Sequence, residues 1–399
     1  MKYCLIDNAD QLPQVQVAIQ SATVVGLDTE FVAEDCFRPD LCLVQVSTEN
    51  AVFIVDPRAN IELTEFWRLF VDPHRTVVVH SGREEILFVF RQTGQTIPRL
   101  FDVQVALGIL GGEYPASYAN LLNRILGVNL EKGETRTDWR RRPLSADQLD
   151  YAALDVLDLP RLHTRLVNEL ESLGRLQWLH DDLERRQREL IDTHLSEGWQ
   201  RIGGIQSMRG RQLAIVRELW RWRERVAEQR DMPARRVLRD DLIVELAKRG
   251  SADPKKIANI RGLHHTGLQR MIPDLASCVA NGLAADELRL PWLGNSKRNR
   301  PLPLLQQFLN AAMAYLCRCN RIAPSIVGTS DDVRELITYW LNDVDSDQEP
   351  LPSLLAGWRG ELIGQPLYEI FSGQKALRVN NPLDDMPLVL CDAPPYRLE

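Results

Sequence analysis

The chain has 399 residues, with 48 Lys+Arg against 55 Asp+Glu for a formal charge of −7, and it is 44% hydrophobic and 26% charged. That composition belongs to a folded globular protein and excludes a disordered one; the length predicts two to four domains at roughly 100–200 residues each. No run of about 18 apolar residues is present, which excludes a spanning helix.

The N-terminus meets Asp7 too early for a secretory leader, so the expected location is the cytoplasm. From there to about residue 175 the pattern alternates strands with helices. Val24 to Thr29, Leu41 to Val46, Val52 to Val55 and Thr76 to His80 read as strands, whereas Leu63 to Val71 and Glu84 to Arg91 have helical spacing. This predicts an α/β domain with a mixed sheet flanked by helices. Beyond 176 the strands stop. Residues 176–208 read as a polar helical linker, 209–290 as one all-α module and 302–375 as a second. The Pro- and acid-containing tail, 376–399, is expected to be irregular. Seven scattered cysteines, Cys4, Cys36, Cys42, Cys278, Cys317, Cys319 and Cys391, include no paired C-x-x-C and read as reduced structural thiols.

The overall charge hides an asymmetry. Residues 201–300 hold 21 Lys+Arg against 11 Asp+Glu, a net of +10, and the rest holds 27 against 44, a net of −17. The first helical module therefore has the electrostatics of a nucleic-acid binder, although the arginines from Arg217 to Arg230 also read as a salt-bridged helix face.

Two carboxylate patterns stand out. Asp28 and Glu30 end an apolar strand and share one of its faces, so they either hold a divalent cation between them or lie in solvent. Ser145-Ala146-Asp147-Gln148 reads as a capping box opening a helix on which Tyr151 and Asp155, four apart, share a face. Further acids come from separate elements: Glu84 and Glu85 follow His80 at a strand-to-helix junction, and Asp102 reads chiefly as a helix N-cap. Four acids converging from separate elements fit two-metal phosphodiester hydrolysis.

These residues resemble the DEDD superfamily of 3′–5′ exonucleases, tyrosine subgroup, and most of all bacterial ribonuclease D. The likeness runs through Gly26 to Phe31, Leu43 to Val46, Phe101 to Gln104, Thr135 to Trp139, Arg142 to Leu144 and Tyr151 to Val156. Residues 209–290 resemble the HRDC module shared with RecQ-type helicases, and Leu355 to Leu362 resembles the end of a second HRDC-like domain. The resemblance implies a ribonuclease H-like exonuclease domain followed by two HRDC-like domains. The implied activity is trimming of RNA 3′ ends, above all those of tRNA precursors and small structured RNAs, with release of 5′-mononucleotides.

By position, the resemblance implies Asp28, Glu30, Glu85 and Asp155 as ligands of two Mg²⁺ or Mn²⁺ ions, and Tyr151 as the residue acting on the attacking water. Glu85 stands where the family has Asp, one methylene shorter. Phe31 either wedges against the terminal base or packs in the core, Arg136 and Trp139 contact backbone and base, and His80 and Asp102 support the site. His264 and His265 read as a loop facing solvent or phosphate. The expected assembly is a monomer. The alternatives are an RNA-binding protein with a degenerate exonuclease site and a 3′–5′ exonuclease acting on DNA.

Overall fold

The computed structural model describes residues 2–130, 137–263, 266–286, 290–291, 302–341 and 351–393. The first elements are β1 (Cys4–Ile6), α1 (Leu12–Ser21), β2 (Val24–Val32), β3 (Asp40–Ser47), β4 (Val52–Val55), α2 (Thr64–Arg68), β5 (Thr76–Val79), α3 (Arg83–Thr93), β6 (Leu100–Asp102) and α4 (Val103–Ile109). The strands form a six-stranded sheet in the order β1-β4-β3-β2-β5-β6, with β3 antiparallel to both neighbours and the other pairs parallel. The mixed sheet expected from the alternating apolar runs is therefore present. α5 (Tyr118–Leu126), α6 (Ala146–Leu157) and α7 (Leu159–Ser172) complete the domain, with α6 lying over β2, β3 and β4. α7 starts so close to the sheet that a Cβ on Gly26 would sit 2.3 Å from Ser47 Oγ and 2.9 Å from Leu159 Cβ.

α8 (Leu176–Leu195) is the segment read as a polar linker. It instead lies against the domain: Leu179, Leu183 and Ile191 enter its core, and the buried Gln187 amide bonds both the N–H and the C=O of Ile97. Then follow α9 (Arg211–Gln229), α10 (Ala234–Val237), α11 (Asp240–Arg249), α12 (Pro254–Ala258), α13 (Thr266–Gln269) and α14 (Ile272–Leu283), which enclose a second, separate hydrophobic core. His264 and His265 lie outside the described residues.

The C-terminal helices are α15 (Pro303–Cys319), α16 (Pro324–Val327), α17 (Ser330–Leu341), α18 (Gly357–Arg359) and α19 (Gln365–Phe371). They do not make a core of their own, because Leu309, Ile326, Leu336 and Ile363 join the core of the sheet domain. Arg175 fastens the two parts by donating to Ile109 O, Asn320 O and Arg321 O at 2.8, 2.6 and 3.0 Å. Asp182, on α8 and fully buried, accepts ion pairs from Arg185, Arg186 and Arg359 at 2.8, 2.7 and 2.7 Å.

The tail departs from expectation as far as it is described. β7 (Lys375–Val379) and β8 (Leu388–Asp392) form an antiparallel hairpin, with Leu377 and Leu390 against the main core. The alternation around those two leucines was masked by the surrounding prolines and acids, which favour turns.

Candidate active site

β2 is nine residues long, but β5 pairs with it only through Val24, Val25 and Gly26. From Leu27 onward one side of β2 is therefore free of a strand, and the start of α3 occupies that side. A register shift between Glu30 and Phe31 bends the strand where its carboxylates end. Asp28 and Glu30 point to the face that α6 covers. The capping box is present as expected, with Gln148 N–H on Ser145 Oγ and the Gln148 side chain returning to Ser145 N–H. Ala152 and Ala153 are fully buried; their small side chains let α6 approach the sheet, and Ser47 Oγ donates to Val156 O at 2.6 Å to fix its height.

The result is one convergence of acids. Carboxylate oxygens of Asp28, Glu30 and Asp155 all lie within 4.8 Å of one another. Burial and mutual repulsion push their titration upward. Glu30 rises to about 8 through burial and then the charges of Asp155 and Glu85. Asp28 rises well above the carboxylate range through burial, then Glu85, Asp155 and Glu30. Asp155 rises to about 6 through burial, partly offset by a hydrogen bond from Tyr151. Tyr151 is itself pushed upward by burial and by Asp155 and Glu30. A set of hard oxygen donors that repel one another in this way fits divalent cations, which would be held by Asp28, Glu30 and Asp155.

Glu85 stands beside this trio rather than within it. It is buried at 5% exposure, and its Oε1 accepts from Thr29 Oγ1 at 2.5 Å. Burial raises it to about 7, with the Thr29 bond pulling the other way. The longer side chain is thus tethered by a strand residue between the two ligands, a partner that the sequence reading missed.

Asp102 caps α4, accepting from Gln104 N and Val105 N at 2.9 and 3.3 Å, and also accepts from Ser81 N and Gly82 N at 3.2 and 3.1 Å. It therefore holds the turn that launches α3, and with it Glu85. Ser81 has φ 58°, a left-handed conformation that this bonding stabilises. His80 shares Ala116 O with Gln104, at 3.0 and 2.8 Å, and its ring lies 5.4 Å from that of Tyr118. Both residues serve the scaffold.

The base-stacking expectation for Trp139 needs correction. The ring is 7% exposed, belongs to the main core and lies 6.2 Å from the Tyr151 ring, so it offers no free face and instead supports Tyr151. Its loop is pulled inward by Arg142, which forks onto Asp56 at 2.6 and 2.7 Å and donates to Cys42 O at 2.9 Å. Phe31 is half-buried, with its ring 6.0 Å from that of Phe88, which favours packing over a wedge. Arg136 lies outside the described residues.

In the first helical module, much of the arginine run is engaged: Arg217 with Glu218, Arg221 with Glu197 and Glu218, and Arg223 with Glu224 and Asp240. These pairs order the surface without removing its surplus of positive charge. Among the described residues no helix is long and apolar enough to cross a membrane.

The comparisons with known proteins agree with this geometry. Residues 3–171 match a 3′–5′ exonuclease family model, and residues 212–279 match the HRDC domain. Ribonuclease D of Nitrobacter hamburgensis is 30% identical over 94% of this chain and 97% of its own length. That of Gluconacetobacter diazotrophicus is 31% identical over 94% of each. The crystal structure of Escherichia coli RNase D, an exoribonuclease involved in structured RNA processing, is 25% identical and superposes with a TM-score of 0.80 over 93% of this chain and 99% of that one. The chain therefore belongs to the ribonuclease D family, enzymes of the 3′–5′ exoribonuclease class.

Proposed function

We propose that the chain trims the 3′ ends of tRNA precursors and other small structured RNAs, releasing 5′-mononucleotides, with Asp28, Glu30, Asp155 and Glu85 around two divalent cations. The observation that carries this reading is the convergence of Asp28, Glu30 and Asp155 within 4.8 Å, with Tyr151 touching Asp155 and Glu85 beside them. Bound there, Mg²⁺ or Mn²⁺ supplies an activated water and stabilises the leaving 3′ oxygen.

The protein's own groups do the rest. Asp28 and Glu30, fixed on one face of a strand, and Asp155, fixed by the pinned α6, preset the donor positions. Tyr151, braced by Trp139, presents its hydroxyl to orient the attacking water. Glu85, held by Thr29, contributes a further carboxylate from α3 through its greater reach. The HRDC module and its net +10 neighbourhood hold the RNA body by its phosphates, a sequence-independent attraction suited to many small RNAs.

The test uses purified full-length protein, a 5′-labelled structured RNA with a 3′ overhang, and Mg²⁺ or Mn²⁺. Stepwise shortening with release of 5′-mononucleotides is expected, with DNA of the same sequence shortened more slowly. Asp28→Ala must abolish it. Equal or faster degradation of DNA would overturn the RNA assignment, and an active Asp28→Ala protein would overturn the site.

A further inference from the structure

Gln45 lies in the middle of β3 and is fully buried, yet neither its Oε1 nor its Nε2 has a hydrogen-bond partner among the described residues. Buried amides are ordinarily satisfied, so an orphan of this kind calls for an explanation. Its position supplies one. Gln45 pairs directly with Asp28 in the β2–β3 register. Ser47, two residues on and therefore on the same face of β3, bonds Val156 O of α6. Gln45 thus points into the layer between sheet and α6, beside Asp28 on the same face of the sheet. Directly opposed residues of an antiparallel pair have Cβ atoms roughly 4.5–5.5 Å apart, within reach of a direct or one-water bond.

We propose that Gln45 is a positioning residue for the metal site: in the metal-loaded protein its amide donates to the Asp28 carboxylate. The inference rests on the site reading above, with Asp28 as a ligand. It goes further by assigning a function to a strand residue that touches neither RNA nor cation. Outer partners of this kind orient ligating carboxylates, and their loss weakens metal affinity or turnover about 10–100-fold.

The near-isosteric Gln45→Met removes the amide and keeps the volume. In the metal-free protein it is expected to melt at the same temperature as the parent or higher, since a buried unsatisfied group is gone. By calorimetry it is expected to bind Mn²⁺ about 10-fold more weakly, and its turnover is expected to fall by a similar factor with KM for RNA unchanged. Gln45→Leu, the second variant, is expected to behave alike. Mn²⁺ affinity and turnover within about two-fold of the parent would overturn the inference, leaving Gln45 a core residue. Asp28→Ala in parallel separates the two readings. Full turnover in that variant would refute the site itself, whereas its inactivity beside an unaffected Gln45→Met would refute only the role of Gln45.

Discussion

Titrating Mn²⁺ into the metal-free protein at pH 7 is expected to release protons. Burial and crowding place Glu30 near 8, Glu85 near 7 and Asp155 near 6, and Asp28 well above the usual carboxylate range. At pH 7 roughly nine-tenths of Glu30, half of Glu85 and a tenth of Asp155 carry a proton, about 1.5 together before Asp28 is counted. Ligating carboxylates must be ionised, so loading the site expels these protons. The move of Glu30 from 4.5 to about 8 corresponds to on the order of 5 kcal/mol between its two protonation states. The sign for stability follows directly. The folded values exceed the unfolded ones, so the folded protein binds more protons between about pH 4.5 and 8, and the metal-free protein loses stability as pH rises through that window. Saturating Mn²⁺ opposes the loss. Calorimetric titrations at pH 7 in buffers of different ionisation enthalpy count the protons, and thermal melts between pH 5 and 8.5 give the slope. Release below about 0.3 proton, or a metal-free melting temperature that rises through pH 6–8, would show that the carboxylates are already ionised and that a cationic group has been overlooked.

The other expectations concern single residues. Tyr151→Phe lowers kcat about 10–100-fold with KM for RNA within about two-fold, because the hydroxyl acts on the reaction rather than on binding; steady-state kinetics decide it. Thr29→Val removes the donor that restrains Glu85, so the Glu85 titration moves further above 7 and the acidic limb of the pH–rate profile shifts upward with it. Asp182→Ala leaves the buried Arg359 guanidinium without its carboxylate, and takes from Arg185 and Arg186 their shared partner, at a cost of about 3–5 kcal/mol, read by urea denaturation. Gly282→Ala places a Cβ 2.6 Å from the Ile215 Cα, which cannot yield, so the α9–α14 unit melts early while cleavage of a trinucleotide too short to span both units persists.

The parts of this protein that are legible in its sequence depend on local pattern. The strand bearing Asp28 and Glu30, the capping box at Ser145 and the helix face shared by Tyr151 and Asp155 follow from periodicities of two and 3.6, and the structure places all four side chains together. The illegible parts are long-range. Trp139 sits in a polar stretch and reads as exposed; it is buried because Arg142 binds Asp56, 86 residues earlier. Gln45 reads as one polar residue in an apolar strand, and only the register opposite Asp28 gives it significance. α8 reads as a solvated connector because its arginines dominate, yet three of its apolar residues and Asp182 are buried against the rest of the protein. Glu85 was identifiable as a departure from the family pattern, but its tether to Thr29 was not, since β2 and α3 meet only where β5 falls short.

The two hydrophobic cores explain why the summed charge misled. One core runs from the sheet through α8 into the C-terminal helices, so the acidic site is built into a unit braced by the buried knot at Asp182. The other core lies within the basic HRDC module and the segment leading into it, with Phe37 of the sheet domain packed against it. Polar contacts between the module and the sheet domain include Phe37 N–H on Asp231 at 3.1 Å and the Arg38–Glu228 ion pair, whose side chains are 59% and 55% exposed. An ion pair so exposed is worth about 0–1 kcal/mol, against the several kcal/mol forfeited on breaking a buried one. Both contacts are made by the loop that follows β2, the strand carrying Asp28 and Glu30. The positive module thus meets the catalytic domain beside the strand that carries two of the clustered carboxylates. A single net charge averages two surfaces that nucleic-acid hydrolysis needs to keep apart: one that attracts phosphate, and one whose negative charge must be neutralised by cations before phosphate can approach.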